Sequence, residues 1–359
     1  MRRDRLTLAM MLGLPMIQLI LFGYAIQTEV RHLPTVVLDQ SRTAESRALI
    51  TVLEQTQNFD IVGTVVDRAA LKQRFDAGVV KAGIIIPPEF ERDVKRGRTA
   101  TAQVVIDAAD PLGSSAAISG ASLAATVRAS QIVAEQHPGA PGLTTPVLDV
   151  RVRPWYNPAL RTAVYIVPGI IGVLLSLTML LITSMSVVRE RERGTFEQLV
   201  VTPIGKTSMM LGKLLPFVIV GYVQMTTVLA LGWLLFRVPL HGSLILLYLI
   251  TSGFILANLA LGLLVSTIAR TQAQAMQLGF FLLLPNILLS GFMFPREAMP
   301  VPAQWIGGIL PLTYYLQVLR GILLRGIGIE YLWQQTIVLF GFAVVLVTLS
   351  VLRFSKTVE

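Results

Sequence analysis

The chain contains no cysteine in its 359 residues and only three histidines, His32, His137 and His241. Without thiols it cannot form disulfides, a thiolate metal site or a cysteine nucleophile. The histidines are scattered and lack the spacing of metal ligands. Neither an H-E-x-x-H nor a G-x-S-x-G sequence is present. We therefore expect no catalytic residue, no metal and no cofactor held by this chain.

Charged residues are also scarce. They make up 14% of the chain, whereas 53% of the residues are hydrophobic; ordinary soluble domains carry about 25% charge. This composition is typical of a membrane protein. The formal net charge of +9 would suggest nucleic acid binding in a soluble chain. Here it is better explained by basic residues that hold loops on the cytoplasmic side, and we expect no nucleic acid partner.

Six uncharged runs are long enough to cross a bilayer, which takes about 20 apolar residues. They cover residues 6–26, 162–188, 214–236, 244–269, 271–294 and 332–352. The first run follows three arginines, as a signal peptide would, but its 21 residues exceed the about 7–15 of a signal core and no A-x-A site follows. We interpret it as a retained helix within residues 1–27. No Asp, Glu, Lys, Arg or His lies in the middle of a run, which argues against a proton relay.

Residues 28–157 differ in composition, because charge returns and no run is long enough to span. Short strands are predicted to alternate with helices, which indicates a small α/β domain with its own core. The predicted strands are 35–39, 59–66, 82–86, 102–107 and 147–152, and the predicted helices are 43–55, 68–76, 89–96 and 114–135.

Residues 298–319 are uncharged as well, but prolines and glycines divide them into pieces too short to cross. We interpret residues 298–325 as re-entrant half-helices, which are tolerated where the backbone is buried in protein or faces water. The alternative is a seventh span. The predicted fold is thus an α-helical polytopic membrane protein of six transmembrane helices plus re-entrant half-helices. It carries an inserted extracytoplasmic α/β domain at 28–157, and residues 158–359 hold helices 2–6.

Sidedness follows from lysine and arginine in the short loops. With the N-terminus inside, eleven of these residues fall in inner segments and four in outer ones. The domain at 28–157 is left out of the count because long translocated domains escape the rule. We expect both termini in the cytoplasm and residues 28–157 outside.

The loop at residues 189–213 has the densest charge of any short loop, with arginine and glutamate alternating from Arg189 to Arg193. Gly194 can end the charged helix extension in a left-handed cap. Thr195 and Gln198 have the spacing of a capping box, and Pro203 would stop the short helix that follows. One interpretation is an amphipathic helix displayed on the cytoplasmic face; the other is a loop that only controls topology. The residues predicted on one face of this helix are Phe196, Leu199 and Val200.

Gly205-Lys206-Thr207 resembles the end of a phosphate-binding loop, but the sequence before it does not match the motif. That motif needs a second glycine five residues earlier, where the chain has Val200. We expect no ATP site in this chain. If transport needs energy, a partner supplies it.

Polar uncharged side chains lie within the predicted spans. They can form hydrogen bonds between helices or line a substrate path. These residues are Gln18, Gln224, Asn258, Gln274, Gln277 and Asn286.

Several stretches together resemble one family, and the strongest is the charged loop with the residues that follow it. They are Arg189-Glu190-Arg191-Glu192-Arg193-Gly194-Thr195-Phe196-Glu197-Gln198-Leu199 with Thr202-Pro203, then Gly212-Lys213-Leu214-Leu215-Pro216, Leu261–Thr267, Ser290–Pro295, Met299-Pro300, Leu310–Tyr314, Asp39-Gln40-Ser41 and Ile86–Phe90. This set resembles the ABC-2 type transporter permeases, the membrane subunits of bacterial ABC exporters. It is most similar to the subgroup with a large extracytoplasmic domain between helices 1 and 2.

The resemblance implies a multi-pass permease of the bacterial inner membrane that pairs with a second permease copy or paralogue. Two cytoplasmic ATPase subunits would hold the ATP and Mg, and a periplasmic adaptor protein is a further expected partner. Substrates would be drugs, lipids or other amphiphiles. Family members usually have an amphipathic helix before the first span, but only Met1–Arg5 precede it here. Either the start is truncated or that contact is reduced, so we place no ATPase contact there. A signalling or mechanotransmitting membrane protein remains the alternative.

Two groups of site residues follow from this resemblance and from the polar in-span positions. The predicted ATPase-coupling residues are Arg189, Glu190, Arg191, Glu192, Arg193, Gly194, Thr195, Phe196, Glu197, Leu199, Pro203 and Lys213. The predicted substrate path or gate comprises Gln224, Asn258, Gln277, Asn286, Pro295, Pro311 and Tyr314.

Overall fold

The computed structural model describes residues 31–109, 111–136, 148–194, 206–294, 296 and 299–353. These residues fall into two compact units, divided between Tyr165 and Ile166. We call residues 31–165 the sheet unit and residues 166–353 the helical unit. The predicted first span and the Pro/Gly linker at 137–146 lie outside the described residues.

The sheet unit contains a five-stranded sheet in the order β2-β1-β3-β4-β5. Strand β1 is parallel to β2 and β3, β4 is antiparallel to β3, and β5 is parallel to β4. The elements are β1 (Leu33–Asp39), α1 (Ala44–Gln55), β2 (Phe59–Thr64), α2 (Arg68–Asp76), β3 (Ala82–Ile86), α3 (Phe90–Lys95), β4 (Ala100–Asp107), α4 (Pro111–Gln136) and β5 (Leu148–Trp155).

Strand β3 lies at the centre of this sheet and is buried over its whole length. Its continuous apolar sequence fits a strand covered on both faces. On one face α2 packs so closely that a Cβ on Gly83 would lie 2.7 Å from Leu71 Cδ1. The strands and helices predicted for this region are present, with ends that differ by at most three residues.

The helical unit is built from long apolar helices. Five described helices are long and apolar enough to cross a membrane, or six if one bent pair forms a single span. The elements are α5 (Thr162–Glu192), α6 (Lys206–Phe236), α7 (Leu244–Ile268), α8 (Gln272–Leu289), α9 (Val301–Gly308), α10 (Pro311–Arg320) with a π-helical turn (Gly321–Arg325), and α11 (Ile329–Arg353).

Helix α8 is shorter than the predicted span of residues 271–294, which is corrected here to Gln272–Leu289. The apolar run continues through Phe292 and Phe294, so hydropathy alone extends the helix too far. The backbone leaves the helix because Gly291 adopts a left-handed φ of +88°.

Helices α9 and α10 are bent by 86° relative to each other. Pro300 is the N-cap of α9 and Pro311 is the first residue of α10, positions where a missing N–H does no harm. The prediction that prolines divide this run is therefore confirmed. Whether the pair is re-entrant stays a prediction.

Helix α5 packs closely against several other helices of this unit. A Cβ on Gly262 of α7 would lie 2.7 Å from Leu180 O of α5. Similar close approaches bring Gly279 of α8 and Leu312 of α10 against α5. Small residues let helix backbones approach closely in membranes, so α5 contacts α7, α8 and α10 directly.

The two ends of the bundle can be told apart. The last turn of α5 contacts Gln272 at the start of α8. Helix α8 then runs 18 residues, about 27 Å, to a turn whose Phe292 packs on Gly169 near the other end of α5. We call the end with Arg189–Gly194 the charged end, and the end with Gly169 and Phe292 the far end.

Candidate functional site

The candidate site is the charged end of α5. The helix continues without a break from its apolar span through Arg189–Glu192 and is 31 residues long. At 1.5 Å per residue it measures about 46 Å, which exceeds the roughly 30 Å of a hydrocarbon core. The charged turn is therefore part of the same rigid helix as the span.

Gly194 ends this helix in the predicted way. Its φ is +72°, and its N–H donates to Arg191 O at 3.2 Å while Arg193 N–H donates to Arg189 O at 3.0 Å. A Cβ at this position would meet nothing within 4 Å. Glycine is thus favoured by the left-handed backbone and not by crowding.

The charged turn is tied to the segment that joins α7 and α8. Arg189 Nε donates to Gln272 Oε1 at 3.2 Å. Glu192 accepts hydrogen bonds from Gln272, from the backbone N–H at 2.9 Å and from the side-chain amide. Arg191 Nη1 also donates to Ser266 O in the last turn of α7, at 3.4 Å. We call the contacts of Arg189 and Glu192 with Gln272 the clasp.

The remaining acidic residue of the turn faces a different helix. Glu190 forms an ion pair with Lys213 of α6. Their side chains are only 29% and 18% exposed, so water screens this pair less than an ordinary surface pair. Arg189 and Glu192 are three residues apart and share a face, whereas Glu190 is turned about 100° away. The charged residues of this turn therefore connect α5 to two different helices, α8 through Gln272 and α6 through Lys213.

The structure thus brings together five of the predicted coupling residues, Arg189, Glu190, Arg191, Glu192 and Lys213, around the cap formed by Arg193 and Gly194. The sequence missed Gln272, a neutral side chain that only the fold places at the clasp. The predicted capping box of Thr195 and Gln198 lies outside the described residues. So do the other predicted coupling residues, Phe196, Glu197, Leu199 and Pro203.

The predicted path residues do not form a single hydrogen-bonded cluster within the described part of the chain. Gln224 Nε2 donates to Thr178 Oγ1 of α5 at 2.9 Å, whereas Asn258 Nδ2 donates to Phe254 O of its own helix. Asn286 is 5% exposed, and its Oδ1 has no described partner. Gln277 is half-buried, and Pro295 lies outside the described residues.

Tyr314 of α10 forms a hydrogen bond across the bend between α9 and α10, in which its hydroxyl donates to Gly308 O at 2.9 Å. Next to it the fully buried Tyr315 stacks on Phe254, with ring centroids 4.0 Å apart. Its hydroxyl lies 2.9 Å from Thr251 Oγ1 of α7. The sequence analysis missed Tyr315, because aromatic residues are common in apolar helices and only the fold shows this contact between α7 and α10.

Among the described residues, no group of three or more His, Asp or Glu side chains could hold a metal ion. The fold and the charged end define a polytopic membrane protein in which α5 connects the clasp to the apolar helices packed against it.

Comparison with known proteins identifies the class more closely. The family described as ABC-2 family transporter protein matches residues 5–352, and the chain belongs to this family. It is therefore a permease, the membrane subunit of an ABC transporter, and not itself the enzyme. ABC-2 permeases work with a cytoplasmic ABC ATPase and often as dimers.

Three relatives from Escherichia coli (strain K12) are similar over most of their length. YbhS, a probable multidrug ABC transporter permease, is 31% identical over 96% of this chain and 91% of its own. YbhR, a probable multidrug ABC transporter permease, is 30% identical over 93% and 89%. The inner membrane transport permease YhhJ is 33% identical over 79% and 75%.

Proposed function

We propose that this permease exports drug-like, lipid or other amphiphilic compounds from the cytoplasm or the inner leaflet, driven by a separate ATPase subunit. Two relatives are described as multidrug permeases, which supports this substrate class. The observation that carries the proposal is the unbroken helix α5, which continues from an apolar span into the charged end.

The charged end is the proposed contact surface for the ATPase. The clasp ties α5 to the start of α8, and the Glu190–Lys213 pair ties α5 to α6. A push on this end therefore moves three helices together. Since α5 also packs closely against α7 and α10, its displacement changes packing through the whole helical unit.

The proposal includes an orientation and an assembly. The charged end faces the cytoplasm, because the short loops and terminal segments on that side hold eleven of the fifteen cations counted. Residues 28–157 are then extracytoplasmic, where a periplasmic adaptor could reach them. The exposed apolar faces of α6 and α11 suit lipid or a second permease copy.

Reconstitution tests this function. The permease and its copurifying ATPase subunit are placed in inverted liposomes, and ATP-dependent accumulation of a fluorescent amphiphilic dye is measured. A hydrolysis-deficient ATPase subunit is the control. We expect accumulation only with ATP and the active subunit. ATPase binding without movement of dye or of labelled lipid would refute export and favour the mechanotransmitting alternative.

A second experiment tests the coupling role of the clasp. Glu192→Arg replaces a hydrogen-bond acceptor of Gln272 with a donor and places a second cation beside Arg189. We expect ATP hydrolysis to persist while dye transport per ATP falls. The matched control is Glu54→Arg on the sheet unit, an exposed position with the same charge change. Equal transport ratios for both variants and the parent chain would exclude the clasp as coupler.

A further inference from the structure

Helix α6 ends in an arginine whose charge is not balanced nearby. Arg237 directly follows the last helical residue and is exposed. The sequence has no aspartate or glutamate between Glu197 and Glu297, and no acidic side chain in the described part of the chain pairs with Arg237. Cations in short loops are normally concentrated at the cytoplasmic end, so this arginine at the opposite end of α6 from Lys213 needs another explanation.

The backbone at Arg237 is left-handed, with a φ of +52°. Its N–H donates to Trp233 O at 3.1 Å. Glycine adopts this conformation far more readily than any residue with a Cβ. A cation at a helix C-terminus also interacts favourably with the helix dipole, but it can do so from any position in the last turn. The dipole alone therefore does not account for an arginine at this costly position.

The end of α6 is packed in place at the far end of the helical unit. Val238, the next residue, is 2% exposed, and its N–H donates to Gly232 O at 3.2 Å. A Cβ on Gly232 would lie 2.6 Å from Val167 Cγ1 of α5. The chain after Arg237 is thus anchored next to α5, while the arginine side chain itself stays exposed.

This place lies at the depth of lipid headgroups. Lys213, which pairs with Glu190 at the charged end, is 24 residues before Arg237. At 1.5 Å per residue the two cations are about 36 Å apart along the helix, compared with roughly 30 Å for a hydrocarbon core. They bracket the apolar part of α6, so Lys213 at one membrane surface brings Arg237 to the other.

Arg237 lines an open pocket of about 330 Å³, within the roughly 300–1,000 Å³ of small-molecule sites. The other lining residues are Trp233, Leu234, Val238 and Pro239. Trp233 is 58% exposed, and its indole N–H is a hydrogen-bond donor. The lining offers a cation and a donor but no carboxylate, so it favours a ligand with net negative charge.

The face of α6 that leads away from this pocket is apolar and exposed. Ile219, Val223 and Leu234 are each about 60% exposed or more, and their spacing of 4 and 11 residues places them on one side of the helix. A small inorganic anion would gain nothing from this face. A lipid whose headgroup occupies the pocket would lay its acyl chains along it.

We propose that Arg237 and Trp233 bind the phosphodiester of an anionic bilayer phospholipid in the leaflet at the far end. Guanidinium groups match phosphate oxygens in geometry and bind them through charge-assisted hydrogen bonds. The indole N–H supplies a further donor to the same headgroup. This inference goes beyond the proposed export, because lipid binding needs neither an ATPase nor transport and is measured without them.

The test compares phosphatidylglycerol with phosphatidylethanolamine of the same acyl chains, bound to the purified chain in neutral detergent and quantified by native mass spectrometry. We expect tighter binding of phosphatidylglycerol to the parent chain. In Arg237→Gly its Kd should rise at least about tenfold, since a charge-assisted hydrogen bond is lost. Glycine suits the left-handed backbone, so this variant removes the side chain without straining the helix end.

Two further variants separate charge from general effects. Arg237→Lys keeps the charge but not the planar fork of donors, and it should bind phosphatidylglycerol with intermediate affinity. Arg353→Gln is the matched control. It removes an exposed arginine at the last residue of α11 and should leave the Kd unchanged.

A photoactivatable phosphatidylglycerol in phosphatidylcholine nanodiscs locates the contact in the parent chain. We expect crosslinks within residues 233–239, and far fewer of them in Arg237→Gly. Equal affinity of the parent chain for the two lipids, or an unchanged Kd in the glycine variant, would overturn the site. So would the absence of crosslinks within residues 233–239, which is also the result expected if a second permease copy covers this face.

Discussion

The left-handed cap at Gly194 permits a graded test of how the charged end of α5 is held. Among residues other than glycine, asparagine adopts this backbone most readily, alanine at a cost of about 1–2 kcal/mol, and proline not at all, because its φ is fixed near −65°. Since a Cβ at Gly194 meets nothing within 4 Å, the series Gly194→Asn, Ala and Pro changes the backbone preference without a steric clash.

The expected sizes follow from the cap geometry. The alanine penalty of about 1–2 kcal/mol lowers the ratio of capped to uncapped chains by roughly 5- to 30-fold. Proline also removes the N–H that donates to Arg191 O, a further loss of about 1 kcal/mol. We expect the transported dye per hydrolysed ATP to fall in the order glycine, asparagine, alanine, proline.

The assay is the liposome reconstitution described above, with the melting temperature of the purified permease as a control for folding. A cap effect should leave the melting temperature of the bundle nearly constant, because Gly194 lies beyond the last helical residue. The reasoning is refuted if proline transports as well as glycine, or if asparagine is as impaired as proline.

Two predictions concern stability. Gly262→Ala in α7 should lower the unfolding free energy by about 1–3 kcal/mol through overpacking, because the new Cβ would lie 2.7 Å from Leu180 O. The measurement is thermal unfolding. The control is Gly341→Ala in α11, where a Cβ meets nothing within 4 Å. Equal melting temperatures would contradict the close approach. In the sheet unit, Arg128 is 6% exposed and pairs with Glu45 at 2.6 Å, so Arg128→Ala should cost about 3 kcal/mol, seen as faster hydrogen exchange in α4; unchanged exchange would show that the pair is dispensable.

Local sequence patterns predict most elements of this fold. Strand β3 is predicted to the residue, because Ala82–Ile86 is a short apolar run between Lys81 and Pro87. Pro300 and Pro311 likewise predict where α9 and α10 begin, since a proline's fixed φ and missing N–H suit a helix start. Such signals lie within a few residues of the feature that they determine.

Features that depend on distant contacts could not be predicted in this way. Nothing local indicates that β4 is antiparallel to β3 yet parallel to β5. Gln272 is a neutral residue with no local signal. It matters because it binds Glu192 of α5, which lies 80 positions earlier in the chain. Arg320 was counted in the sequence only as a loop cation, whereas its hydrogen bonds to Gly291 O and Phe292 O depend on the fold.

The continuous passage of α5 through the helical unit makes it a lever with two working ends. From Ile166 to Glu192 it is about 40 Å long, so a tilt of about 5° around its middle moves each end by roughly 2 Å, in opposite directions. One end carries the clasp, and near the other Gly169 packs against Phe292 in the turn after α8. Thermodynamic linkage is reciprocal. An ATPase that tilts the helix would change the packing of Phe292 at the far end, and a ligand that changes this packing would in turn bias how readily the ATPase can move the clasp.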